Sequence, residues 1–212
     1  MLKTILNVVG VVVVIAAVMF TSCVMNDDVD PDNPDNPNNN GDGDNYTYTG
    51  RSVTIGGQVW MAENLNRATA HSMCYGTDVS NCAKYGRYYT WDEAMSACPA
   101  GWHLPSDAEW TELTDFVGGA STAGRKLKST SGWYNNSNGT DEYGFSALPC
   151  GYFNQYYVFM VTPGDAYHGS WWSSTDGWNG DVALGRSMSD GESVDGIGGT
   201  KSFGRTVRCV KD

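Results

Sequence analysis

A chain of 212 residues carries 13 Lys and Arg against 24 Asp and Glu, a formal net charge of −11. That balance argues against a nucleic-acid partner, because phosphate binding needs concentrated Lys and Arg. The acidity is also uneven: residues 26–45 hold seven Asp, seven Asn and no Lys or Arg, whereas residues 51–212 hold 12 basic and 17 acidic side chains.

The N-terminus opens with Lys3, continues through an almost unbroken apolar stretch from Val8 to Phe20, and reaches Thr21, Ser22 and Cys23. A short basic start, an apolar core and a small-residue junction describe a secretory signal peptide over residues 1–22. A spanning helix needs about 20 apolar residues, and this run is shorter. Phe20-Thr21-Ser22-Cys23 resembles a bacterial lipobox, which implies cleavage before Cys23 and a lipid on its thiol. Each buried lipid methylene contributes about 0.8 kcal/mol, so several acyl chains hold a protein to a membrane. The expected location is therefore the bacterial cell envelope, with the outer membrane as the expected site of anchoring and the membrane as a partner through the lipid.

Residues 23–50 read as a tether. The run Asp-Pro-Asp-Asn-Pro-Asp-Asn-Pro offers nothing apolar to bury, and Pro and Gly interrupt helix and strand alike. Aspartate repulsion extends such a segment. Fully stretched, residues 24–50 reach about 90 Å at ~3.3 Å per residue. A calcium loop is the rival reading, but the alternating Asp spacing that it needs is not met.

A domain is expected over residues 51–212. Ser52 to Ile55, Gln58 to Met61 and Tyr85 to Tyr89 have strand character. Two capping boxes follow, Thr90 with Glu93 and Ser106 with Glu109. Behind the first, Trp91, Ala94, Met95 and Cys98 fall at helical spacing and Pro99 stops the helix. Behind the second, Trp110, Leu113, Phe116 and Val117 form an apolar stripe that ends at Gly118-Gly119. After residue 130, Gly, Ser, Asn, Tyr and Trp dominate. Strand candidates there are Phe145–Leu148, Tyr152–Phe159, Trp171–Ser174, Val182–Ser187 and Phe203–Val210. Helices early and strands late point to an α+β fold.

With Cys23 assigned to lipid, Cys74, Cys82, Cys98, Cys150 and Cys209 remain. An exported protein meets an oxidising compartment, so pairing is expected, and five is odd. Counting alone does not choose the pairs.

The segment Thr90–Cys98, followed by Gly101-Trp102-His103-Leu104-Pro105-Ser106 and Glu109-Trp110, resembles the first two helices of C-type lectin-like domains. More closely, most of residues 51–212 resembles the Fibrobacter succinogenes major paralogous domain family. The matching blocks are Val53–Asn66, Tyr85–Trp91, Gly101–Ser106, Tyr143–Pro149, Trp172-Ser173-Ser174 and Val207–Val210. The resemblance implies an α+β, C-type-lectin-like domain with two early helices, a small mixed or antiparallel sheet and long irregular loops. It also implies export, often as a lipoprotein, and disulfides Cys98–Cys209 and Cys74–Cys82, with Cys150 left single. In the wider fold group the formylglycine-generating oxidases rely on a reactive cysteine pair, and here only Cys150 is to spare.

Constellations for chemistry are missing from the sequence. His71, His103 and His168 show no His-x-x-x-His or Cys/His zinc spacing, and no Gly-x-Ser-x-Gly elbow occurs. His103 reads as a structural residue bonded to backbone. No catalytic residue, metal or cofactor is expected. Trp178-Asn179-Gly180-Asp181 is close to the calcium-and-sugar strand of lectins, but a glycine interrupts it and its partner Glu-Pro-Asn loop is absent, so a turn explains it. Aromatic residues among small polar neighbours suit a recognition surface. Trp60, Trp91, Trp102, Trp110 and Trp172 read as core. Tyr156, Tyr157, Tyr167, Trp178 and Asn179, which lie outside the matching blocks, are the candidate ligand contacts. The expected function is non-enzymatic binding of a glycan or protein, with an envelope-building role as the alternative.

Overall fold

The computed structural model describes residues 46–156, 158–161 and 167–212. The expected signal segment, Cys23 and most of the tether lie outside the described residues, as does Tyr157.

Strands β1 (Ser52–Ile55) and β2 (Gln58–Met61) form a hairpin in which Ile55 faces Gln58. Its turn is Gly56-Gly57, and Gly56 sits at φ 60°, a left-handed conformation that glycine adopts without a Cβ penalty. Where sequence gave a strand from Tyr85, the chain instead forms α1 (Val79–Tyr85) and a shorter β3 (Tyr88–Tyr89). Asp78 caps α1 through Ser80 N at 2.9 Å, and the Cys74–Cys82 disulfide ties the helix to the preceding turn. Helix α2 (Trp91–Ala97) forms as expected, but its capping box does not. Glu93 Oε1 is taken instead by the loop beside it, accepting from Thr69 Oγ1 at 3.0 Å and His71 N at 2.8 Å.

Strand β4 (Trp102–His103) leads to α3 (Asp107–Phe116), where both halves of the Ser106–Glu109 capping box are made. Phe116 belongs to the expected apolar stripe yet is 56% exposed. It packs at the rim against Tyr143, with ring centroids 6.1 Å apart. Gly118-Gly119 ends α3, but the chain turns directly into α4 (Ala120–Leu127), which sequence reading missed. Gly124 lowers helix propensity there. Its lack of a side chain is what packing requires, since a Cβ would lie 2.4 Å from Ser193 O.

The remaining strands are β5 (Tyr152–Phe153), β6 (Phe159–Val161), β7 (Gly169–Asp176), β8 (Val182–Met188), β9 (Val194–Thr200), β10 (Arg205–Thr206) and β11 (Val210–Lys211). The expected strand at Phe145–Leu148 reduces to a single bridge between Lys128 and Ala147. Strand β9 was not anticipated, because Gly196, Gly198 and Gly199 weaken its strand pattern. Each of the three lies under a long side chain instead of carrying one: Arg186, Trp178 and Arg205, respectively.

Among the described residues the sheets run β1-β2-β11-β4, β3-β10-β7-β8-β9 and β5-β6. The five-stranded sheet is mixed, since β10 pairs parallel to β7 and the other pairs are antiparallel. The four α-helices of the described residues fall between residues 79 and 127, with short strands before and between them and β5–β11 after, so the domain is α+β. Successive residues of a strand point to opposite faces, and β7 uses this to divide the core. Trp171 enters a cluster with Trp60, Trp110, Leu113 and Phe145. Trp172 enters another with Met61, Leu65, Tyr89, Ala97 and Val207. The Cys98–Cys209 disulfide joins the end of α2 to the chain just before β11.

One side chain ties these parts together. Asn64, buried beyond β2, accepts from Trp171 Nε1 at 2.8 Å and Arg208 Nη2 at 2.9 Å, and donates to Tyr85 O at 2.7 Å. Trp91 and Trp102, expected in the core, are only half-buried. Trp91 donates to Ser173 O at 2.8 Å, and Trp102 meets Tyr48 edge to face.

Candidate functional site

The candidate ligand contacts separate in space. Tyr156 is 74% exposed in the turn between β5 and β6, where its N–H donates to Asn154 Oδ1 at 3.0 Å. Tyr167 is exposed just ahead of β7. Asn179 is occupied by a turn, since its Oδ1 accepts from Asp181 N at 3.2 Å. Trp178, among the described candidates, lines a cleft. It is 75% exposed, and its ring rests on the backbone of Gly198, with a ring carbon 2.6 Å from where a Cβ would sit.

That cleft has a volume of about 450 Å³ and lies between the ends of β5, β7, β9 and β10. Volumes of this size accommodate small ligands. Its aromatic wall is built by Tyr152 and Phe203, stacked at 6.3 Å and 15° between ring planes, and by His168, edge-on to Tyr152 at 5.6 Å. Val182, Ile197 and Thr200 line it as well, and no Asp or Glu among the described residues does. From the sequence, Tyr152 and Phe203 read as strand residues and His168 as a histidine without zinc spacing, while Ser170 and Arg205 carry no signal of their own. None carries a local motif, and the chain brings them together through the β10–β7 pairing and the bridges Gly151–Gly169 and Phe153–Gly204.

Arg205 supplies the one formal charge of the lining among the described residues. It is 4% exposed, and its guanidinium lies 4.3 Å from the Trp172 ring centroid. Gly185 and Gly199 make room for it, because a Cβ at either would come within 2.7 Å or 2.1 Å of a guanidinium nitrogen. Nη2 donates to Gly198 O at 3.3 Å, whereas Nε and Nη1 find no acceptor among the described residues. Burial pushes its pKa down to about 10, against the opposite pull of Tyr152, so it stays charged at neutral pH. Beside it, burial and then the Arg205 charge lower the pKa of His168, which keeps that imidazole neutral. Ser170 Oγ and His168 Nδ1 are also buried without partners among the described residues.

Two other buried cations show what a structural solution looks like. Lys128 Nζ donates to Ser137 O, Ser189 O and Gly191 O at 2.6, 3.0 and 2.8 Å, using its three N–H groups, and sits against the Trp133 ring. Arg208 bonds Asn64 Oδ1 and Phe145 O. A buried charge left uncompensated costs several kcal/mol, roughly. Arg208 leaves Nε alone without a partner among the described residues, whereas Arg205 leaves both Nε and Nη1.

A second cavity of about 250 Å³ is lined by Tyr48, Arg51, Glu63, Asn64, Lys84 and Arg208 among others, and there the Glu63 carboxylate is already engaged. Tyr48 donates to Glu63 Oε2 at 2.6 Å, and Arg51 Nε lies 3.7 Å from Glu63 Oε1. His103, expected to bond backbone, instead bridges two carboxylates, Asp212 Oδ1 and Glu109 Oε1, each at 2.7 Å. Partial burial opposes its charge, yet the bonds to Glu109 and Asp212 outweigh that and raise its pKa. Cys150 is free and fully buried, 3.3 Å from Thr206 Oγ1. Burial raises its thiol pKa, so it rests as the protonated, unreactive form.

Both disulfides join the cysteines that the resemblance pairs. The model of the Fibrobacter succinogenes major domain matches residues 53–211, the whole folded region apart from its edges. No curated protein and no solved structure matches the chain.

Proposed function

The chain belongs to the Fibrobacter succinogenes major domain family, and we propose that it is an exported, lipid-anchored binding module of a bacterial cell envelope that captures a glycan in the Trp178 cleft. The observation that carries this reading is the exposed Trp178 ring poised over a concave site walled by Tyr152 and Phe203. Aromatic faces bury the apolar C–H faces of a sugar at little conformational cost, while neighbouring polar groups select its hydroxyls. A cleft of a few hundred Å³ fits a sugar residue or two better than the flat, extended face of a protein partner, which takes about 800 Å² on each side.

Catalysis draws less support. Cys150 lies in the core as a protonated thiol, and among the described residues the Arg205 cleft offers no carboxylate to act as acid or base. Attachment through Cys23 and display on the acidic segment complete the proposal. A glycan array probed with the full chain in detergent, with calcium and with chelator, tests it. Capture that survives chelation and falls at least tenfold in Trp178→Ala supports the reading. Failure to capture any glycan, or capture indifferent to Trp178→Ala, contradicts it. For the anchor, Cys23→Ala is expected to move the protein from the membrane to the soluble fraction; unchanged fractionation contradicts lipidation.

A further inference from the structure

We propose that the cleft is built for an acidic glycan, with the carboxylate or sulfate of one sugar unit seated against Arg205 and its ring against Trp178. The inference rests on the binding reading above and narrows it to a ligand class. Three observations carry it.

The first is charge. Among the described residues Arg205 makes no ion pair, and no acidic residue lines its cleft. Residues 51–212 carry 17 acidic side chains, and none of those among the described residues pairs with Arg205. A lone cation between low-dielectric walls concentrates its field in the opening and draws anions to it. The second is unmet hydrogen bonding. Arg205 Nε and Nη1, Ser170 Oγ and His168 Nδ1 are all buried without partners among the described residues, and all four belong to residues lining this cleft. Buried polar groups are nearly always satisfied, and these four, grouped behind the wall of one cavity, are the donors and acceptors that a polar ligand would meet if the wall adjusts around it. Carboxylate and sulfate oxygens are acceptors only, which matches guanidinium N–H groups and a hydroxyl.

The third is construction. The Trp172 face beneath Arg205 and the bare backbones of Gly185 and Gly199 hold the guanidinium flat, where a Cβ would collide with it. A planar donor fixed before binding loses little entropy when it bonds. A neutral hydroxyl leaves the buried charge uncompensated, so the site discriminates by charge. Recognition that depends on satisfying a buried polar group can be highly selective.

The test is calorimetric titration of the full chain in detergent with oligogalacturonate, oligoalginate and a sulfated oligogalactan. The fully methyl-esterified forms of the two uronates and neutral oligogalactan serve as charge-free matches. At least one acidic ligand is expected to bind tenfold or more tightly than its neutral match, with an affinity that falls as salt rises. Arg205→Gln is expected to bring that affinity down to the level of the neutral ligand and to remove most of the salt dependence. Trp178→Ala is expected to weaken acidic and neutral forms alike. Comparison of acid and ester on the wild-type protein keeps the test decisive even where Arg205→Gln fails to fold. Equal binding of the acidic and neutral forms overturns the charge assignment and leaves glycan binding intact; no binding of any of them overturns both.

Discussion

Replacing Asn64 with Ala removes one small side chain and strands three buried groups. Trp171 Nε1, Arg208 Nη2 and Tyr85 O all spend a hydrogen bond on it, at 2.8, 2.9 and 2.7 Å. Trp171 and Arg208 are fully buried, so water does not readily replace what is lost. An unsatisfied buried group costs about 1–3 kcal/mol, with charged groups at the upper end. Two neutral groups and one guanidinium together give a loss of about 4–6 kcal/mol, a large share of the 5–15 kcal/mol or so that a domain of this size commands. Asn64→Asp keeps the acceptor for Trp171 and Arg208 and adds a counter-charge, so its loss is expected to stay near 1–2 kcal/mol, roughly the stranding of one carbonyl. Urea unfolding of the oxidised protein, followed by tryptophan fluorescence, measures both. A midpoint for Asn64→Ala within about 1 kcal/mol of wild type refutes the assignment of Asn64 as the joint between β2, β7 and the C-terminal segment.

Arg205→Gln and Arg208→Gln separate a ligand cation from a structural one. The first is expected to leave the melting temperature within a few degrees of wild type, because it relieves an uncompensated charge while losing a stacking contact worth up to about 2 kcal/mol. The second is expected to cost about 3 kcal/mol or more, since it breaks buried bonds to Asn64 Oδ1 and Phe145 O; similar losses in the two contradict the distinction. Cys98→Ala/Cys209→Ala opens a loop with a sequence separation of 111, against 8 for Cys74→Ala/Cys82→Ala. Chain entropy assigns these about 4.8 and 2.5 kcal/mol, so denaturant midpoints are expected to fall further for the longer link. His103 has its pKa raised in the folded state. Its stabilising contribution is therefore complete below the unfolded pKa of about 6.5 and fades as pH rises through the folded value. Thermal melts from pH 6 to 9 are expected to show that decline in the wild type and not in His103→Gln; parallel curves contradict it.

Much of the scaffold was legible in sequence because its signals are local. The β1–β2 hairpin follows from alternating residues around Gly56-Gly57, and the Ser106–Glu109 cap marks the start of α3 within four residues. Elements that depend on distant partners were not legible. Helix α4 contains Gly124, whose value lies in the approach of Ser193, and β9 contains three glycines that side chains from Trp178, Arg186 and Arg205 cover. Glu93 looked like a capping residue and was claimed by a loop more than 20 residues earlier. The site was still harder to read. Trp178 stood out by its setting among polar residues, but Arg205 sits in a strand of two residues, and its isolation from carboxylates exists only in three dimensions. Exposed aromatics were the visible half of the cleft; the buried, unpartnered donors were the hidden half.

Amide hydrogen exchange of the full chain, with and without whichever glycan the array captures, tests the central claim most directly. The account predicts new protection concentrated at Tyr152–Phe153, His168–Ser170 and Ile197–Thr200, the segments that wall the cleft, and its loss in Trp178→Ala. Protection confined to the β1–β2 hairpin or the helices, or absent while the glycan is bound, contradicts it.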